Sequence, residues 1–273
     1  MPSPLIALSA AGVIAAAGLG WGWFEAGWVR LRTLDLPVAG LPPALAGLRI
    51  AHLSDFHLGM PSRGSRAVER AVGWTAERRP DLVCITGDLL THPRGERRLR
   101  ELLELLPGAF AVLGNHDHGI ARDPFATRSA LLDTGPARLL VDRAETVEVR
   151  GARVQMIGLD PRTVRRRAEI AERLADPAAD LRIVLSHYPG VVDDLRSGVA
   201  HLVLSGHMHD GQITVPYGFG KLRLAHLRHP YPVGIFRRRA GTMHVSPGLG
   251  TTFLPFRFAA RPEATELLLL QSE

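Results

Sequence analysis

Five short apolar runs in this chain end directly on Asp, Asn or His, and that repetition constrains the fold more than any other feature. LRIAHLS (48–54) runs into Asp55-Phe56-His57, and DLVCIT (81–86) into Gly87-Asp88. AFAVL (109–113) is followed by Gly114-Asn115-His116-Asp117, LRIVLS (181–186) by His187, and HLVLS (201–205) by Gly206-His207-Met208-His209. Short apolar runs bounded by turn residues suit strands buried on both faces. Helical stretches fall between them, around 66–77, 96–106, 125–132 and 164–175. Such alternation predicts an α/β layered domain, in which sites form beyond the carboxyl ends of the strands.

Carboxylate, imidazole and carboxamide make a mixed N/O donor set, which suits divalent ions such as Mn, Fe or Zn better than a thiolate-preferring metal. A single D-x-H or Gly-Asp pair carries little weight, since such pairs are common in turns. Five pieces, each at a strand end, carry a great deal. Cys84 is the only cysteine, so neither a disulfide framework nor a zinc site built on several thiolates is available. Placed mid-strand, it reads as a small core residue.

The ordered set D-x-H, G-D, G-N-H-D, H and G-H-x-H resembles the calcineurin-like metallophosphoesterase family, over residues 48–209. Its membrane-anchored bacterial branch is the most similar, through Ser54-Asp55-Phe56-His57-Leu58-Gly59, Gly206-His207-Met208-His209-Asp210-Gly211-Gln212 and the stretch 246–263. The resemblance implies a four-layer α/β/β/α sandwich with two divalent ions at the strand ends, Mn favoured. It implies that Asp55, His57 and His209 hold one ion, that Asn115, His187 and His207 hold the other, and that Asp88 bridges them. It also implies that His116 lies near the substrate phosphate as a catalytic group, with Asp117 orienting it. All these positions carry the expected residue type. Asp210 departs from the branch, which often has Gly there, and reads as a turn residue before Gly211. His118 is a candidate cleft residue; His52, His92, His201, His226, His229 and His244 read as ordinary histidines.

Residues 1–24 carry no charged side chain, and the run to Phe24 is long enough as a helix to cross a hydrocarbon core of about 30 Å. Trp21, Trp23 and Trp28 cluster at its far end, as interfacial aromatics do. The absence of Lys and Arg before it argues against a cleaved signal peptide. The chain is thus read as a membrane anchor (1–28), a Pro- and Gly-punctuated linker (29–47) and a metallophosphoesterase domain (48–273). The resemblance implies a bacterial inner-membrane protein, and Arg30 and Arg32 after the segment favour its domain on the cytoplasmic side.

A net charge of +6, almost all of it from arginine, favours phosphates or an anionic surface, and Arg165–Arg167 and Arg237–Arg239 are candidate headgroup contacts. The expected activity is phosphodiester or pyrophosphate hydrolysis on a lipid-linked phosphate, such as the UDP-2,3-diacylglucosamine cleaved by some relatives of the branch. A nuclease or cyclic-nucleotide phosphodiesterase is the alternative enzyme. Aromatics make up 6% of the chain and several belong to the anchor, so no nucleic acid partner is expected. A membrane-tethered metal-binding module without turnover is the alternative of another class.

Overall fold

Continuous apolar runs in the strands build two sheets that face each other across a shared apolar core. The structure is a computed structural model describing residues 4–127 and 134–272, with side chains in the first helix described from residue 11. The chain opens with α1 (Pro4–Glu25) and β1 (Arg30–Ala39). There follow β2 (Arg49–Leu53), α2 (Gly64–Arg78), β3 (Leu82–Thr86), α3 (Glu96–Leu103), β4 (Phe110–Val112) and β5 (Arg138–Leu139). The second half contributes β6 (Arg143–Val149), β7 (Ala152–Leu159), α4 (Arg167–Leu174), β8 (Leu181–Ser186), α5 (Val191–Asp194) and β9 (Leu202–Ser205). It closes with the hairpin β10 (Thr214–Tyr217) and β11 (Gly220–Arg223), then β12 (Gly234–Arg238), β13 (Gly241–Val245) and β14 (Glu263–Ser272).

One six-stranded sheet has the order β1-β14-β2-β3-β4-β5, and the other β12-β13-β9-β8-β7-β6. Alternate side chains point to opposite faces of a strand. In β8, Ile183 and Leu185 therefore enter the core between the sheets while Val184 faces outward. Opposite them in the inter-sheet core lie Ile50, Cys84, Val112 and Leu267. The outer face of the first sheet is covered by Val68 and Val72 of α2 and Leu99 and Leu103 of α3. That of the second is covered by Ile170 of α4 and Val191 of α5. The result is the α/β/β/α layering expected. The helix expected over 125–132 lies largely outside the described residues, and 125–127 are not helical.

The linker reading of 29–47 is corrected by β1. Its residues pair in parallel with β14 from Arg30–Glu263 to Ala39–Ser272, and Leu36 and Val38 are fully buried between the sheets. Pro37, which suggested a break, is tolerated because β1 is the edge strand and its missing N–H faces no partner. The N-terminal helix is present, Pro4–Glu25. Among the described residues, however, no helix is long and apolar enough to cross a membrane.

Leu267 is wholly buried on β14, flanked by β1 and β2. Leu267→Ala is expected to lower unfolding free energy by about 3 kcal/mol in a denaturant titration. A loss below about 1 kcal/mol would mean that the two sheets do not share this core.

Candidate metal centre

Three of the five strands that feed the site, β2, β3 and β9, run directly into left-handed turns. Asp55, His57, Asp88, His207 and His209 all have positive φ, between 47° and 72°. Asp and His enter this left-handed region more readily than most residues, yet each instance still costs about 1–3 kcal/mol. The turns gather the five strand ends at one edge of the sandwich, where Asp55, His57, Asp88, His187 and His209 are almost completely buried.

Asp88 lies at the middle. Its Oδ2 is 3.3 Å from His187 Nε2, 3.5 Å from His57 Nε2 and 4.0 Å from His116 Nε2, and its Oδ1 accepts the His116 backbone N–H at 2.8 Å. On one side, His209 Nε2 is 3.1 Å from His57 Nε2 and 3.4 Å from Asp55 Oδ1. On the other, His187 Nε2 is 2.9 Å from Asn115 Oδ1 and 3.1 Å from His207 Nδ1. Donor atoms of Asp55, His57 and His209 lie within 4.8 Å of one another, as do those of Asp88, His187 and His207, and of His57, Asp88 and His116.

Hydrogen bonds behind the rings show what these donors suit. His187 Nδ1 faces the Thr86 carbonyl at 2.9 Å, an acceptor only, so neutral His187 carries its proton there and turns the Nε2 lone pair inward. His57 Nδ1 faces Thr91 Oγ1 at 2.9 Å, which permits the same arrangement. His209 differs. Its Nδ1 accepts from Arg257 Nη2 at 3.1 Å, so a cation at Nε2 displaces a proton. Burial opposes charge on His187, but the carboxylates of Asp88 and Asp55 outweigh it and raise its pKa to about 9. Burial likewise pushes Asp88 up, and His187, His57 and His116 more than reverse this, holding it well below the usual carboxylate range. The edge therefore favours positive charge between its carboxylates, and the N/O donors fit divalent ions.

All nine sequence-predicted residues come to this edge, but their parts differ. Asp117 does not contact the His116 ring. Its carboxylate accepts backbone N–H groups from Gly114 at 2.8 Å, Leu90 at 2.9 Å and Leu89 at 3.2 Å, tying two strand-end loops together. This corrects the expectation that it orients His116. Asp123 stands there instead, with Oδ2 3.9 Å from His116 Nδ1, which has no hydrogen-bond partner. Asp123 also accepts from Thr252 Oγ1 at 2.8 Å, and Thr252 Oγ1 is 3.2 Å from His116 Nε2. Neither Asp123 nor Thr252 belongs to a strand-end motif, so the sequence carried no signal for them.

Asp210 is not a solvent-facing turn residue. It is buried and paired with Arg223 at 2.8 Å and Lys221 at 3.0 Å, fastening the β10–β11 hairpin to the G-H-x-H turn. His118 pairs with Asp160 at 3.1 Å. His52 and His244 sit behind the site, Nδ1 to Nδ1 at 2.8 Å, with His52 Nε2 2.9 Å from Thr86 Oγ1.

A family model described as calcineurin-like phosphoesterase matches residues 48–211, more than half of the chain. The chain belongs to that family. It is 28% identical over 244 residues to the uncharacterized metallophosphoesterase YkoQ of Bacillus subtilis, covering 87% of this chain and 89% of YkoQ. It is 25% identical to the phosphodiesterase YaeI of Escherichia coli, covering 96% of each. It is 24% identical to the UDP-2,3-diacylglucosamine pyrophosphatase LpxG of Chlamydia muridarum, covering 77% of this chain and 79% of LpxG. With the buried His/Asp cluster, family membership makes this chain a metal-dependent phosphoester hydrolase.

Asp123→Asn is expected to lower kcat for a model phosphodiester about tenfold, with KM and bound metal nearly unchanged, since it removes the charge facing His116 and one of the two acceptor oxygens that hold Phe125, Thr252 and Phe253. Loss of bound metal in this variant would instead place Asp123 among the residues that shape the metal cluster.

Proposed function

We propose that the chain is a dinuclear phosphodiesterase or pyrophosphatase acting on a lipid-linked phosphate at a membrane surface. The observation carrying the chemistry is that two donor groups, Asp55–His57–His209 and Asn115–His187–His207, meet at one buried carboxylate, Asp88. These residues would hold two divalent ions, with Mn favoured for an N/O set of this kind. Such a pair supplies charge to draw electron density from the phosphoryl oxygens and a nucleophile near neutral pH. His116, on the Asp88 side of the cluster and next to Thr252, is placed to give a proton to the leaving oxygen. Asp123 faces the far nitrogen of that ring and balances the charge it carries when protonated.

Two features support a lipid-linked substrate. LpxG acts, by its name, on a diacylated sugar nucleotide. The described part of α1 presents Val13, Ile14, Leu19, Trp21, Trp23 and Phe24 to the outside at 41–72% exposure, a contiguous apolar surface of the sort that meets lipid. Here α1 serves as the membrane anchor, with Trp21, Trp23 and Trp28 at the interface and the domain on the cytoplasmic side, where Arg30 and Arg32 lie. The arginine triplets add little to this reading. Arg166 and Arg167 are engaged by Glu169 and Asp194, and Arg238 by the Tyr231 hydroxyl.

Full-length protein supplied with Mn²⁺ is expected to cleave both bis-p-nitrophenyl phosphate and UDP-2,3-diacylglucosamine in mixed micelles. Partners that merely orient metal ligands cost about 10–100-fold when removed. Asp88→Ala, which removes the shared carboxylate itself, should cost both activities more than about 100-fold. Cleavage of the model diester alone would remove the named lipid, and equal activity in Asp88→Ala would remove the dinuclear mechanism.

A further inference from the structure

Beside His209 the surface opens into a slot of about 320 Å³, within the range of about 300–1,000 Å³ usual for ligand pockets. Its walls include Met208, Ile213, Leu224, Phe253 and Leu254, and His209 itself forms part of the lining. The slot therefore adjoins a side chain of the candidate metal cluster and is otherwise walled largely by apolar residues.

Apart from His209 and the exposed imidazole of His226, whose ring lies 5.1 Å from that of His207, the polar side chains in this lining are already engaged. Gln212 Nε2 donates to the carbonyls of Thr252 at 2.8 Å and Leu254 at 3.1 Å, and its Oε1 accepts the Thr252 N–H at 2.8 Å. The Thr252 hydroxyl donates to Asp123. A sugar or nucleobase entering here would lose water and find few partners, a cost that recognition of such groups does not tolerate. A hydrocarbon loses nothing.

The slot is also continuous with the apolar exterior. Leu224 and Leu227 are 54% and 66% exposed beside it, and the adjoining hairpin exposes Val215, Tyr217, Phe219 and Leu222. Its 252–254 wall continues into the segment that touches α1. There the Arg257 N–H donates to Gly22 O at 3.0 Å, and the Phe256 and Trp23 rings lie 6.4 Å apart.

We propose that the slot receives an acyl chain of the substrate while the phosphate sits at the Asp88 cluster, an inference that rests on the lipid-linked substrate proposed above. Exposed Leu224 marks the mouth, and the chain runs past Ile213 and Leu254.

The test uses full-length protein with Mn²⁺ and two p-nitrophenyl phosphodiesters, one with a methyl and one with a long alkyl group, below their micellar concentrations. In parallel, a long-chain alkyl phosphonate bearing a diazirine at its chain end labels the protein, and the label is mapped by mass spectrometry. The long-chain ester is expected to have the higher kcat/KM by at least about tenfold, and Leu224→Glu to cut that ratio about tenfold. The label is expected on residues 213, 224 and 252–254. Equal kcat/KM for the two esters, or label outside these segments, would overturn the slot while leaving the phosphodiesterase standing. Hydrolysis of neither ester would overturn the phosphodiesterase reading, and the position of the label would then decide the slot alone.

Discussion

A buried carboxylate that pairs with no lysine or arginine among the described residues governs this structure. Asp88 is 1% exposed, and the imidazoles of His187, His57 and His116 lie 3.3–4.0 Å from its Oδ2. Desolvating an anion costs several kcal/mol, which one backbone N–H from His116 does not repay. At an effective dielectric of 20, a unit positive charge at 4 Å returns about 4 kcal/mol. The cluster is thus stabilised by positive charge beside Asp88, which divalent ions held there would supply without protonating the histidines. The surrounding backbone is shaped to this one group. A Cβ on Gly114 would overlap Asp88 Oδ1, and one on Gly87 would come within 2.7 Å of the Gly114 nitrogen.

Holding so many donors at one edge requires strain, and the sandwich supplies the rigidity to keep it. Asp55, His57, Asp88, His207, His209 and Asp210 all occupy left-handed backbone, together a liability of several kcal/mol. The strands leading into them are buried on both faces, by the inter-sheet core on one side and by helices on the other. A close-packed interior does not deform gradually, so the strained turns cannot relax without opening the layers behind them. Preorganisation of the donors is a consequence of the core.

This division explains what the sequence made legible. Strand ends showed because burial on both faces forces continuous apolar runs, and a donor immediately after such a run stands out. The nine candidate residues all follow such runs, and the structure brings them to one edge. The role of Asp117 was not legible, because adjacency to His116 in sequence says nothing of which way a carboxylate turns; three backbone N–H groups claim it. Asp123 and Thr252 reach the site from loops without periodicity. Edge strand β1 was hidden by Pro37, which a central strand would not accept. Asp210 looked like a turn residue and is one in backbone, with φ 49°, yet its side chain is held by Lys221 and Arg223 from the hairpin that follows.

Arg257 joins the N-terminal helix to this centre. Its guanidinium, fully buried, donates to the carbonyls of Pro247, Gly250 and Ala260 and to His209 Nδ1. Burial lowers its pKa to about 10, with Asp55, Asp210 and Glu25 opposing the fall, so it stays charged at neutral pH. Its own N–H binds Gly22 O, while Glu25 accepts from both Ala260 N at 2.9 Å and Trp21 Nε1 at 2.9 Å. A Cβ on Gly22 would run into the Phe258 ring, so glycine lets the helix seat this closely. The last turn of α1 is therefore part of the domain, linked through Arg257 to His209, one of the donors of the candidate metal cluster.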